Sequence, residues 1–103
     1  MATIDRVVLI KLTDEARDAV ETAAARAGEV LSAIPQVRAF EIWRGADAKS
    51  AGDWDFGLHA QFDDLEAIET YINDPIHRQF VDQELKPNLL VIKAWNFQRT
   101  SRS

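Results

Sequence analysis

Nine residues near the N-terminus decide the fold of this chain: Ile4-Asp5-Arg6-Val7-Val8-Leu9-Ile10-Lys11-Leu12. The stretch is rich in β-branched and aliphatic side chains, which predicts a β-strand. Its apolar residues stand at both odd and even positions, and successive side chains of a strand point to opposite faces of the sheet. The first strand therefore predicts a sheet that needs cover on both faces.

Three further strands are predicted, each from a run of β-branched, aliphatic or aromatic residues: 37–43, 54–62 and 89–97. The third strand, 54–62, alternates cleanly between apolar and polar residues, as a strand with one buried face does. Between the second and third strands, residues 44–53 are small, polar and rich in glycine, so a long loop is expected there.

Helices are predicted between the strands. Thr13 and the two acids after it favour a helix start, and apolar residues then recur every three or four positions until Pro35 stops the helix. Residues 63–66 begin a second helix, and Asp74-Pro75 fits the start of a third, which Pro87 closes. The order β-α-β-β-α-α-β predicts an α+β, ferredoxin-like fold of the split β-α-β type: a four-stranded antiparallel sheet with helices on one face.

The last strand shares the pattern of the first, because its apolar residues also stand at both odd and even positions. One chain has too few helices to cover both faces of such a sheet. Large exposed apolar surfaces are rare on monomers, and a second copy of the chain is the simplest cover. We therefore expect a homodimer, with two sheets facing each other in a dimeric α+β barrel whose helices lie outside.

Length and composition limit the remaining possibilities. The chain has 103 residues, of which 47% are hydrophobic and 28% charged, as in an ordinary globular domain. We expect one domain over residues 1–98 and a disordered C-terminal tail over 99–103. Neither a signal peptide nor an apolar run of membrane-spanning length is present, and cysteine is absent, so a cytoplasmic protein without a membrane partner is expected. The net charge of −5 argues against nucleic acid, and an RNA-binding sheet would also need basic residues between exposed aromatics.

Several motifs then resemble one known family. The strand and helix start over residues 6–15, the phenylalanine–aspartate helix entry over 62–68, and the stretch Tyr71-Ile72-Asn73-Asp74-Pro75-Ile76-His77 are similar to the stress-responsive dimeric α/β barrel domain family, called Dabb. Lys86-Pro87 before the last strand also fits, so the likeness spans about residues 4–97. The resemblance implies a homodimeric ferredoxin-like barrel.

The family resemblance also implies candidate site residues. The family contains proteins without an assigned reaction and plant polyketide cyclases, in which the tyrosine and histidine of this motif act as acid/base and substrate-orienting groups; here they are Tyr71 and His77. Two other histidines of cyclase-type members fall at Arg6 and Phe56, so a cyclase is not the default interpretation. The fold is also similar to that of cofactor-independent quinol monooxygenases, by fold analogy alone.

The chemistry of the two residues supports a site. Histidine titrates near neutral pH and tyrosine donates a hydrogen bond without charge, so Tyr71 and His77 are the candidate catalytic pair. The predicted walls of a helix–sheet pocket for an apolar or aromatic ligand are Trp54, Phe56, Leu58 and Ile68. A purely structural interpretation is that His77 bonds a local carbonyl while Tyr71 packs at the edge of the core.

Two functions follow from these residues. The first is a small homodimer that binds an apolar small molecule without an assigned activity. The alternative is a cofactor-independent acid/base enzyme, of polyketide cyclase, isomerase or monooxygenase type, using Tyr71 and His77. No metal-ligand spacing and no glycine-rich phosphate motif is present, so neither a metal nor a cofactor is predicted. His59 is expected on the opposite face of the sheet with Gln61, where it would make the dimer sensitive to pH.

Overall fold

The sheet has the topology that the sequence predicts. The computed structural model describes residues 3–100 and contains four strands there: β1 (Ile4–Leu12), β2 (Ala39–Trp43), β3 (Phe56–Phe62) and β4 (Leu89–Gln98). They form one antiparallel sheet in the order β2-β3-β1-β4. β1 lies at the centre and pairs with β3 from Ile4 opposite Phe62 to Ile10 opposite Phe56. The predicted four-stranded ferredoxin-like fold is confirmed.

The helical segments of the described residues are α1 (Asp14–Arg17), α2 (Val20–Leu31), α3 (Ala48–Asp53), α4 (Leu65–Asn73) and α5 (Pro75–Phe80). α5 continues as one turn of π-helix over Val81–Leu85 and a 3₁₀ turn over Lys86–Asn88. Side-chain oxygens accept a backbone N–H at four of the helix starts, namely those of Thr13, Asp47, Asp64 and Asp74. These caps explain why the helices begin where they do.

The prediction of one helix from Thr13 to Pro35 is wrong in two places. The helix breaks after Arg17, because Ala19 leaves the helical region with φ −107° and ψ 25°. The side chain of Arg17 is meanwhile held by Asp55, at 2.9 Å from Nε to Oδ1, which ties the short α1 to the end of the sheet. α2 ends at Leu31, before Pro35, whose ring disfavours a helical conformation in the residue ahead of it.

Two strand starts and one loop also differ from the prediction. β2 and β3 each begin two residues later than expected. Asp55 explains the later start of β3, because its carboxylate accepts the backbone N–H of Leu12 at 2.7 Å and turns the chain there. The predicted loop over 44–53 contains α3, whose N-terminus is capped by Asp47 with 2.8 Å to the Ser50 nitrogen.

One face of the sheet is covered by α2, α4 and α5. The buried sheet residues on this covered face are Ile4, Val8, Ile10, Leu12, Phe56, Leu58, Ala60 and Phe62. The helices meet them with Ala24, Ala27, Leu31, Ile68, Tyr71 and Phe80. Burial of these apolar side chains supplies the main driving force for folding. The alanines of α2 have little side chain and so allow the helix to approach the sheet closely.

The other face, which we call the open face, carries no helix within residues 3–100. Val7 and Leu9 of β1 lie on it, next to three aromatic residues: Trp43, Trp95 and Phe97 are 41%, 45% and 54% exposed. The structure therefore has the uncovered apolar face that the sequence predicts, and the patch is of the kind that marks an interaction surface.

β4 is an edge strand that the helices do not reach. Ile92, Ala94 and Asn96 point to the same side as the covered residues of β1 and are nevertheless exposed. The strand also contains a β-bulge: Leu12 pairs with Leu89 and Lys11 with Val91, so Leu90 is an extra residue. β4 therefore extends beyond the cover that the helices give to β1 and β3.

Candidate functional site

Tyr71 and His77 lie side by side between the helices and the sheet. Tyr71 is in the last turns of α4 and His77 in the first turn of α5, and the helix start capped by Asp74 separates them. Their ring centroids are 4.6 Å apart at an interplanar angle of 64°, an edge contact. Phe62 makes a similar contact with Tyr71 at 4.9 Å. Tyr71 is 2% exposed, whereas His77 is half-buried and also borders a shallow depression of about 280 Å³.

Arg6 adds a cation to this pair. It lies on β1 opposite Ala60 and Asn96, on the covered side of the sheet, and its Nη1 donates to Asn96 Oδ1 at 2.9 Å. From the sequence, Arg6 stands out only as the residue at the position of a family histidine, and Asn96 does not stand out at all. The position of Arg6 in the sequence could have identified it. Arg6 stands at an even position of β1, like Ile4 and Val8, and the even positions face the helices.

Burial and the charge of Arg6 set the ionisation of the pair. Burial raises the pKa of Tyr71 to about 12, while the Arg6 charge acts in the opposite direction. Burial and the Arg6 charge lower the pKa of His77, against a smaller opposite effect from Asp74 and the Ile72 carbonyl. At neutral pH the site therefore holds a neutral phenol, a neutral imidazole and a guanidinium, which stays charged because its ordinary pKa lies far above neutrality.

The structure places the four predicted wall residues in two different surroundings. Phe56, Leu58 and Ile68 are buried in the core, and Phe56 also lines a different cavity. Trp54 precedes β3 and lies near Arg17 and Asp55, in a depression of about 220 Å³. The later start of β3 places Trp54 outside the alternation on which its predicted role depended.

The cavity that Phe56 lines is a separate recess on the helical side, smaller but more apolar than an open depression of about 520 Å³ along α4. It has a volume of about 380 Å³ and lies between α2, the end of β1 and the segment from α5 through the π-helix. Its residues are Leu12, Ala16, Ala19, Thr22, Ala23, Arg26, Phe56, Phe80, Gln83, Glu84, Leu85 and Asn88. Arg26 and Glu84 bridge its two helical walls through a bidentate ion pair at 2.8 and 3.1 Å. The sequence signal was the run of alanines on one side of α2.

The open face carries the other histidine, His59. Its Nε2 lies 2.6 Å from Asp5 Oδ1, its Nδ1 lies 3.1 Å from Glu41 Oε1, and Trp43 stacks on its ring at 5.2 Å between centroids. Asp5 also accepts from Gln61 at 3.1 Å and from Arg99 at 2.9 Å. The hydrogen bond from Arg99, helped by His59 and Gln61 and opposed by burial, lowers the pKa of Asp5 to about 2.

Arg99 belongs to the segment that the sequence assigns to a disordered tail. Its contact with Asp5 ties it to the sheet. Residues 101–103, the rest of that predicted tail, lie outside the described residues. The sequence did not reveal that β4 extends to Gln98 and delivers Arg99 to the buried carboxylate.

Neither a metal site nor a membrane-spanning helix is found among the described residues. No group of three or more His, Asp or Glu side chains within residues 3–100 is placed to hold a metal ion. No helix in that range has the length and apolar character needed to cross a membrane.

Comparison with known proteins identifies the family. The sequence model of the Stress responsive A/B Barrel Domain, Dabb, matches residues 4–98. The chain belongs to the Dabb family. The resemblance drawn from the first strand, the helix entry and the Tyr71–His77 motif is thus confirmed. No curated protein is significantly similar to this Dabb chain in sequence.

Solved structures of other proteins support the same fold. A Dabb family protein from Mesorhizobium loti, described as having a ferredoxin-like fold, is 25% identical with a TM-score of 0.84, over 98% of this chain and 100% of that one. A dimeric protein of unknown function from Bacteroides fragilis is 22% identical with a TM-score of 0.76, over 94% and 96% of the chains. A dimeric ferredoxin-like protein from Thermobifida fusca is 22% identical with a TM-score of 0.73, over 95% and 92%.

Proposed function

We propose that this Dabb chain forms a homodimer that binds an apolar small molecule in the cavity between α2 and the α5–π-helix segment. The observation that carries the proposal is the cavity itself, about 380 Å³ in volume. Small-molecule sites are concave, mostly apolar and on the order of 300–1,000 Å³.

The lining of the cavity favours a ligand with an apolar ring or acyl chain. Ala16, Ala19 and Ala23 leave space along α1 and the start of α2, and Phe56 and Phe80 supply aromatic surface. The Arg26–Glu84 ion pair gives a few polar groups that would orient a ligand. Glu84 and Leu85 belong to the π-helical turn, and such turns occur frequently at functional sites.

The open face supports the homodimer. Trp43, Trp95 and Phe97 would be buried if two sheets faced each other, and the Asp5–His59 network would lie in that interface. Two of the similar structures are described as dimeric. A shared sheet interface also leaves the helical side, and therefore the cavity, turned outward in both copies.

A cavity-filling variant tests the ligand proposal. Ala23 lines the cavity, whereas Ala25 is exposed on the same helix, so Ala23→Leu and Ala25→Leu add the same atoms in different places. We expect the neutral dye N-phenyl-1-naphthylamine to gain fluorescence with the wild type and with Ala25→Leu, and to bind Ala23→Leu weakly. Equal titration curves for the two variants would place the dye elsewhere and contradict the proposal.

A second candidate function is acid/base catalysis by Tyr71 and His77. The observation that favours it is their edge contact at 4.6 Å beside the Arg6 charge, since a neutral imidazole can accept a proton and a neutral phenol can donate one. The test is deuterium exchange of 2,4-pentanedione in heavy water. His77→Gln is expected to remove any acceleration over buffer that the wild type provides; no acceleration by the wild type would count against this function for enolisable diketones.

A further inference from the structure

We propose that Arg6 and Tyr71, next to His77, form a binding site for the carboxylate of a small organic acid. None of these three residues lines the α2 cavity. The inference therefore does not depend on the proposed cavity ligand.

Arg6 differs from the other arginines of the described residues because it combines partial burial with the lack of a carboxylate partner. Five arginines of the described residues contact a carboxylate: Arg17, Arg26, Arg38, Arg44 and Arg99. Arg6, which is half-buried, has no carboxylate partner within residues 3–100, and its side chain bonds only the neutral amide of Asn96. Burying a charge without a counter-charge is unfavourable, so an anion that reaches this guanidinium gains an unsatisfied partner.

Arg6 can be reached from outside. The helices cover β1 and β3 but leave β4 bare, and Ala94 and Asn96 are exposed next to Arg6. The guanidinium thus lies at the boundary between the covered and uncovered parts of the sheet. Its contact with Asn96 uses one of five N–H donors, and the planar remainder suits the two oxygens of a carboxylate.

Tyr71 supplies a second donor. Its hydroxyl bonds no other residue within 3–100 and is not one of the enclosed polar atoms that lack a partner there, so it can be reached by solvent although the residue as a whole is 2% exposed. On the covered face Arg6 lies diagonally across from Phe62, whose ring contacts Tyr71. The Arg6 charge accordingly acts on the ionisation of both Tyr71 and His77. The one carboxylate that affects His77 there is Asp74, which is already used as the N-cap of α5. A cation and a neutral donor without an opposing acid favour an anionic ligand.

The experiment compares two probes of the same shape on the wild-type protein. Benzoate and benzamide differ in charge, and the imidazole resonances of His77 report the field of Arg6. We expect saturable binding of benzoate, with a rise in the pKa of His77 because the carboxylate offsets the Arg6 charge, and no such rise with benzamide. Equal effects of the two probes, or no saturable effect of benzoate, would overturn the proposal.

Two arginine variants locate the site. Arg6→Gln removes the proposed receptor, and Arg78→Gln is the matched control because Arg78 also bonds an asparagine, Asn73, but on the exposed surface. Arg6→Gln is expected to weaken benzoate binding by about tenfold or more, as loss of a hydrogen bond to a charged group does, while Arg78→Gln leaves it unchanged. Equal losses in both variants would overturn the assignment. If Arg6→Gln does not fold, the probe comparison on the wild type decides alone.

Discussion

The two faces of the sheet each carry one histidine, and the two histidines lie in opposite electrostatic surroundings. His59, on the open face, is bonded by two carboxylates, Asp5 and Glu41. His77, on the covered face, contacts a phenol and lies near the Arg6 charge. Histidine thus lies between two acids on the face proposed for the dimer interface, and near a cation on the face proposed for binding small molecules.

This contrast shows how one thin sheet can serve two purposes. Side chains alternate across a strand, so neighbours on β1 belong to different environments: Asp5 joins the network of the open face, and Arg6 faces the helices. On β1, one set of residues therefore faces the helices and the other set faces the open side. Four predictions examine this division, beginning with the largest expected effect.

Truncation on the covered face is expected to affect folding most. Phe62→Ala removes a fully buried ring that packs on Tyr71, and should lower the free energy of unfolding by about 3–5 kcal/mol. Urea denaturation followed by circular dichroism measures the change. Leu65→Ala is the control, because Leu65 is exposed on α4 and its loss is expected to cost about 0.5 kcal/mol or less. Similar losses for the two variants would contradict the assigned core.

A charge on the open face is expected to separate the subunits without unfolding them. Trp95→Glu places a carboxylate in the aromatic patch opposite Val7, and loss of such an anchor typically costs about 2 kcal/mol or more of binding energy. Light scattering should then give the mass of one chain, with an unchanged circular dichroism spectrum. Gln98→Glu, on the same strand but pointing to the other side, is the control that should keep the dimer mass.

The acid network should make stability depend on pH at the acidic end. Asp5 has a pKa of about 2 in the folded chain against 3.8 as its ordinary value, so its contribution is complete above that ordinary value and is lost as the pH falls towards 2. Asp5→Asn is expected to lower the free energy of unfolding by about 1–2 kcal/mol at neutral pH, allowing for solvent screening of the exposed Arg99. Denaturation at several pH values measures the free energy of unfolding. Below the ordinary pKa of aspartate, this free energy should fall less steeply with falling pH in Asp5→Asn than in the wild type. Asp18→Asn, which changes an exposed aspartate, should follow the wild-type curve.

The smallest predicted effect concerns His77 alone. Because the Arg6 charge lowers the pKa of His77, Arg6→Gln should raise that pKa towards its ordinary value, and Arg78→Gln should change it less. An NMR titration of the imidazole protons measures both. His59 serves as the internal reference, since it lies on the opposite face. An unchanged His77 titration in Arg6→Gln would show that the two groups are not coupled.

Much of the fold could be predicted from the sequence because its signals are local. Three local signals predict an element or a face without knowledge of distant contacts. They are the alternation of apolar and polar residues in 54–62, the pair Asp74-Pro75 at a helix start, and the apolar residues at both odd and even positions of β1. The pairing of Tyr71 with His77 came instead from the family resemblance, and the structure brings the two rings into contact across the bend between α4 and α5.

The remaining features depend on residues far apart in the chain. Asp55 shortens β3 through bonds to Leu12 and Arg17, which lie about forty positions away along the sequence. The α2 cavity results from how Ala16, Ala19 and Ala23 are placed against the π-helical turn, and no periodicity in either segment predicts that contact. The role of Arg6 likewise depends on β4 being bare of helices, which strand order alone determines.

The bulge at Leu90 gives the last strand a spare residue. Since Leu89 and Val91 already occupy consecutive pairing positions opposite Leu12 and Lys11, removal of position 90 would preserve the orientation of every other side chain in β4. Loss of one residue farther along the strand would instead exchange Trp95 and Phe97 with their neighbours across the sheet. Insertions and deletions among related chains are therefore expected to concentrate at this single point, where length can vary while the pairing surface is kept.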